Sequence, residues 1–282
     1  TSDVNPKLFG LDDVATYDNY NKIRYQGVEA ALNWTDKIGD FEYSVGGWAV
    51  CNRGKYLRYS ESQINDYNKV EGSWVGDYHG YVYLGKFSSQ DDIESSPAQT
   101  FDSQVQVGDL KYKDINEDGK IDSNDKTIIG NTSPKLNYAV NVYLKYKGFD
   151  FTLVGTGKAF FDIPLTSGYF WNGWGQDNYS VFVRDNIGGD YPRLSYDKIT
   201  NNFQASRFWL RKGDWFKIQN VELGWSTSFR NSDWIRGIRL FVRGTNLLTV
   251  SGIKYIDPES TTAGVTTDPL YRTFTGGVKL NF

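Results

Sequence analysis

The sequence predicts an all-β fold, and more narrowly an arc of a large antiparallel β-barrel whose strands cross a membrane. Three observations carry that expectation. First, the closing stretch from Tyr271 to Phe282 alternates. Phe274, Gly276, Val278, Leu280 and Phe282 fall on one face, and Thr273, Thr275, Gly277, Lys279 and Asn281 on the other, the period-two mark of a strand with one apolar and one polar side. Second, this pattern recurs along the chain in long arms, so the apolar sides suit lipid and the polar sides a wet lumen. Third, the connections alternate short and long. Barrels of the outer-membrane type have short periplasmic turns and long extracellular loops, whereas a soluble sandwich has no reason to gather its long loops at one end.

Composition fits this reading. Hydrophobic residues make up 39% of the 282, and no segment approaches the roughly 18 consecutive apolar residues of a membrane helix. A membrane strand needs apolar residues only at alternate positions, so a barrel escapes that exclusion. The 20 Tyr, 17 Phe, 9 Trp and 29 Gly favour strands and tight turns. A net charge of −3 gives no nucleic-acid footprint. The single Cys51 excludes an internal disulfide and a Cys-based zinc site. The chain begins at Thr1, contains no Met and shows no leader. The expectation is therefore a portion of something longer, with amino-terminal material preceding it.

Taken in order, Thr1 to Asn21 reads as loop. A strand follows from Ile23 to Trp34, with Val28, Ala30, Leu32 and Trp34 on its apolar face and Gly27 marking a bulge. After the turn Asp36 to Asp40 the chain returns as Phe41 to Asn52. The excursion 53–134 lacks sustained alternation, and a connection that long is usually functional. The clearest hairpin is Leu136 to Tyr146 and Phe149 to Phe160, turning at Lys147-Gly148. A second excursion, 162–206, leads to a strand from Trp215 to Thr227 with a phase slip at Gln219-Asn220. Ile238 to Leu248 is the next strand, and the excursion 249–270 reaches the terminal one. That makes about seven long strands, too few and odd in number for a closed single-chain barrel.

The most specific local pattern is Asp114 to Asp125. Oxygen donors stand at loop positions one, three, five, nine and twelve as Asp114, Asn116, Asp118, Asp122 and Asp125; Gly119 takes the sharp turn, and Lys120 offers its carbonyl. This spacing suits Ca2+, with Asp125 standing where Glu is usual and the flanks not helical. The alternative is an Asx-rich turn with no metal. The cluster Tyr169 to Trp174, with Tyr169, Trp171 and Trp174 foremost, suits substrate stacking, or else an interfacial girdle or loop packing. Glu29, Lys145, Lys158, Arg239 and Arg243 read as a wetted wall with cross-strand pairing. With His79 alone and Cys51 on an apolar face there is no convincing nucleophile and base, so no enzyme is expected.

These pieces resemble the carboxy-terminal part of the SusC/RagA-type TonB-linked outer-membrane transporters. The resemblance rests on Gly27-Val-Glu29, Trp34 to Phe41, Gly108 to Asp122, Phe216 to Trp225, Asn246-Leu-Leu248, Asp257-Pro-Glu259 and the Phe282 ending. It implies that residues 1–282 form the carboxy-terminal part of a 22-stranded barrel in the bacterial outer membrane, with an EF-hand-like calcium loop at 108–130. It implies a SusD-like lipoprotein lid and energy from TonB–ExbB–ExbD through an amino-terminal plug absent here. Phe282 would be the signal for the barrel-assembly machinery. The cargo implied is most often an oligosaccharide, with peptides as another class. A soluble calcium-stabilised β module that binds carbohydrate through Trp171 and Trp174 is the alternative, and a glycoside hydrolase a more distant one.

Overall fold

The computed structural model describes residues 19–61, 65–101, 104–171, 179–197, 199–229, 234–254, 256–260 and 270–282. Seven strands form one antiparallel sheet: β1 (Lys22–Ile38), β2 (Phe41–Arg58), β3 (Leu136–Tyr146), β4 (Phe149–Ala159), β5 (Trp215–Ser228), β6 (Gly237–Ser251) and β7 (Thr273–Asn281). Each pairs with its neighbour in sequence, so the sheet is a meander without crossovers. The short connections, such as Gly39-Asp40 and Lys147-Gly148, lie at one end and the long ones at the other. At the second of these turns Lys147 (φ 44°) and Gly148 (φ 86°) both take positive φ. That is the two-residue turn whose twist matches that of the flanking strands.

The register aligns the apolar positions across the whole sheet. Val28 pairs with Cys51, Ala30 with Ala49, Leu32 with Gly47 and Trp34 with Val45. The rows continue through Val45 and Val142, Val142 and Leu153, Leu153 and Val221, Leu223 and Val242, then Leu240 and Val278. A slip of one residue in any strand would turn its apolar set to the polar side, so the alternation fixes the pairing. No second sheet packs on this face among the described residues, and Leu32 and Val28 remain 76% and 75% exposed. A soluble sandwich would bury such a face. Lipid covers it in a membrane barrel.

Two strands differ from the expectation in detail. The phase slip in β5 is a register shift between Ile218 and Asn220, which keeps both Ile218 and Val221 on the apolar face. Gly27, expected to mark a bulge, sits in regular pairing opposite Asn52, and the irregularity falls instead between Lys22 and Ile23. Its lack of a side chain answers close approach, since a Cβ there would lie 2.5 Å from the Cys51 carbonyl oxygen.

The core lies in the excursions. The first forms small ladders, Asp77–Gly80 on Thr127–Asn131 and Tyr83–Lys86 on Leu110–Tyr112, with a short helix Gln90–Glu94 capped by Ser89. The second pairs Asp162–Pro164 with Leu210–Lys212 and carries the helix Val181–Asn186. Phe161, Ile163, Phe170, Val183, Tyr191, Phe203 and Trp209 form one buried cluster, and Tyr81, Leu110, Tyr112 and Ile121 another. A polar seam joins the two excursions. Fully buried Asp109 receives hydrogen bonds from Arg193 and from the amide of Asn202, while the Tyr112 hydroxyl donates to the Asn201 carbonyl. Burial pushes the Tyr112 hydroxyl far above its ordinary pKa, so it stays a donor. What the sequence presents as two loops is one folded unit at the long-loop end of the sheet.

Candidate functional site

The polar face of the sheet is organised by charge. Glu222 on β5 accepts from Arg239 and Arg243 on β6, and Arg239 also donates to Asp150 on β4. Glu42 on β2 holds Lys37 of β1 at 3.0 Å and Lys145 of β3 at 3.5 Å. The expected cross-strand pairing thus exists for Lys145, Arg239 and Arg243. Their acceptors, Glu42 for the lysine and Asp150 and Glu222 for the arginines, share the polar parity of their strands, which is the signal the sequence carries for them. Glu29 and Lys158 make no ion pair among the described residues.

At the long-loop end, Lys217 of β5 is 1% exposed and donates to Asp257 at 2.7 Å and Glu259 at 2.5 Å. Its ammonium also lies 5.3 Å from the centre of the Trp215 ring, within the range of a cation–π contact. The third excursion is therefore pinned to the polar face by a buried cation. Two of the sequence segments behind the resemblance, Phe216 to Trp225 and Asp257-Pro-Glu259, are the two halves of this clamp. Pairing is what allows an ammonium to remain charged out of water.

The Asp-rich loop is built from its own backbone bonds. Asp114 accepts from the N–H groups of Glu117 and Gly119 at 2.7 and 2.9 Å, and Asp118 from that of Lys120. Asp125, fully buried, accepts from Ile115 and Asp122, both at 2.8 Å. Asn116 donates to Asp118. The flanks are the strands Leu110–Tyr112 and Thr127–Asn131, with no helix on either side. The Lys120 ammonium lies 2.9 Å from Asp122 and 3.9 Å from Asp118, neutralising both directly. The Asn124 N–H, and after it Lys120, holds the Asp122 carboxyl below its ordinary range. Among the described residues no three carboxylate, His or Cys side chains converge on one point. The donor set is nonetheless the hard-oxygen chemistry of calcium, and Gly119 at φ 83° makes the sharp turn such loops need.

Tyr169 and Trp171 lie against the larger loop core. Tyr169 meets Phe170 edge to face, and Trp171 contacts Phe203 and Trp209 with ring centres about 6 Å apart. These contacts pack both rings into the loop core. Trp174 lies outside the described residues. Phe282 is exposed beside the short-turn end of β6.

Fold and side-chain distribution together define a class: the wall of a membrane-spanning antiparallel barrel, carrying a folded unit at its long-loop end. No protein-family model matches the chain. It is similar to TonB-dependent receptor P26 of Formosa agariphila, 30% identical over 279 residues that cover 92% of this chain and 28% of that receptor. TonB-dependent receptor P3 of the same organism is 26% identical over 233 residues, 75% of this chain and 22% of the relative. Among solved structures, the RagAB peptide importer in its open-open state superposes with a TM-score of 0.72 at 16% identity, covering 99% of this chain and 30% of that one. The RagAB peptide transporter gives 0.70 at 16%, over 99% and 31%. The chain spans less than a third of the length of the curated relatives it matches. The chain belongs to the TonB-dependent receptors, and its seven-stranded sheet has the fold of part of the RagA barrel.

Proposed function

We propose that this chain supplies wall and mouth loops to a TonB-dependent importer of the bacterial outer membrane, and that the cargo is an oligosaccharide delivered under a SusD-like lipoprotein lid. The observation that carries the reading is the register itself. One continuous apolar face and one charged, hydrogen-bonding face run through all seven strands, with the folded unit at the mouth. Such a wall offers lipid on one side and a hydrated path on the other. Substrate would be captured between lid and mouth loops, and TonB–ExbB–ExbD would open the path by acting on a plug in another part of the receptor. Transport is the only chemistry invoked. Peptide cargo is a second reading, favoured by the RagAB likeness, since those structures are of a peptide importer.

Calcium in the Asp114–Asp125 loop would stiffen the first excursion. Asp114, Asn116, Asp118, Asp122, Asp125 and the Lys120 carbonyl would hold it once the Lys120 ammonium swings aside. For import itself, the test is deletion of the complete receptor gene, followed by growth on defined oligosaccharides, peptides and their monomers. Loss of growth on one oligomer class, with monomer growth intact and loss reproduced by removing TonB, supports the reading. Unimpaired growth on every oligomer sinks it.

A further inference from the structure

A cavity of about 440 Å³ lies where the polar face meets the folded unit, within the size range of small-molecule pockets. Lys158, the last polar-face residue of β4 before Phe160, lines it together with Tyr78 of the first excursion. The rest of the lining is largely apolar, with Trp215, Phe161 and Ile163 prominent. Its carboxylates are already engaged. Asp162 accepts from Lys212 at 3.0 Å and from the Asn131 N–H at 3.1 Å, and Glu259 is held by buried Lys217. Its donors are not. Neither the Lys158 ammonium nor the Tyr78 hydroxyl has a protein hydrogen-bond acceptor among the described residues, and burial raises the pKa of Tyr78, keeping it protonated.

A pocket whose carboxylates each already face a cation, with two unspent donors and aromatic walls, takes a ligand that brings negative charge and a flat or apolar body. We propose that this cavity is a cargo subsite selective for carboxylate-bearing oligomers, with Lys158 as the specificity-determining residue. The proposal rests on the transport reading and names the chemical class of its cargo. A uronic acid residue and an acidic peptide residue share the chemistry, so the experiment separates them.

Purified complete receptor in detergent is titrated calorimetrically with four probes: trigalacturonate, its methyl ester, triglutamate and triglutamine. The expected result is an acid probe bound at least about tenfold tighter than its neutral counterpart, since a charge-assisted hydrogen bond is roughly twice as strong as a neutral one. Lys158→Met abolishes that preference and Lys158→Arg restores it. Preference confined to trigalacturonate assigns a sugar cargo, and preference confined to triglutamate a peptide. Equal affinity for acid and neutral probes, no binding of any probe, or a preference that survives Lys158→Met overturns the subsite. Import by the same receptor is scored separately. A receptor that supports TonB-dependent growth yet shows no acid preference loses only the subsite, whereas one that supports no growth loses the transport reading itself.

Discussion

Replacing Lys217 by Met should release the segment around Asp257 and Glu259 from the barrel wall. Hydrogen bonds to charged groups contribute about 1.5–3 kcal/mol each, and Lys217 makes two, at 2.7 and 2.5 Å. The lower end applies because the two carboxylates are 21% and 32% exposed and regain water when the cation goes. From about 3 kcal/mol gross, that resolvation and the relief of burying an ammonium return about a third. Local opening should become easier by about 2 kcal/mol, roughly thirtyfold in population. Ile253 and Ile256 still tether the loop to the larger core, so opening stays local. Hydrogen exchange of the complete receptor reads this at peptides spanning 252–260, where the Glu259 and Ser260 amides bond to Asp257. Asp257→Asn with Glu259→Gln provides the other arm of a cycle. Exchange in Lys217→Met within twofold of wild type, or strictly additive effects of the two arms, would refute the clamp.

Three further outcomes are expected. Leu32, near the middle of β1 and 76% exposed, should tolerate Arg poorly, losing about 2–4 kcal/mol of stability in bilayers. Thr35→Arg on the polar face should cost little, and equal costs in urea unfolding would contradict a lipid-facing surface. Asp125→Ala leaves the part-buried N–H groups of Ile115 and Asp122 unpaired, at about 1 kcal/mol each, the low end of the range for a buried group. Protease nicking between 114 and 125 should then rise sharply, with Asp125→Asn intermediate, and calcium should protect wild type but not Asp125→Ala. Acid should loosen the same loop. The Asp122 pKa is lowered in the folded chain, chiefly by the Asn124 N–H and then by Lys120. Its contribution is thus complete above the ordinary value of 3.8 and is lost as pH falls through the lower folded value. Exchange in the loop should accelerate in that acid range in wild type, and less in Asp122→Asn.

The wall was legible in the sequence because its determinants are local. Alternation within a single strand names the lipid side, and the one irregularity that mattered, at Gln219-Asn220, broke the phase visibly. Boundaries ran short where polarity resumed before pairing ended. β1 continues past Trp34 to Ile38, because Thr35 and Lys37 find partners in Ser44 and Glu42 across the ladder. Gly27 departs from the bulge that its sequence context predicts for a related reason. A glycine that permits strand approach and one that permits a bulge look alike until the facing residue is known.

The mouth is harder to read from the sequence because the contacts that join its parts are not local. Arg193 reaches Asp109 across 84 positions, and Lys217 reaches Asp257 across 40. Neither excursion has an apolar period of its own, since each supplies only part of a shared core. Asp257-Pro-Glu259 could be matched as a pattern, yet its reason lies on another element: the buried Lys217 ammonium on the polar face, to which both carboxylates are paired. The same logic separates Lys158 from Lys217. Both occupy polar-face positions at the same end of adjacent strands, and sequence gives no ground for preferring one. The fold gives Lys217 two carboxylates and leaves Lys158 facing a cavity. A lysine whose charge is already answered holds structure, and one whose charge is unanswered is available to cargo.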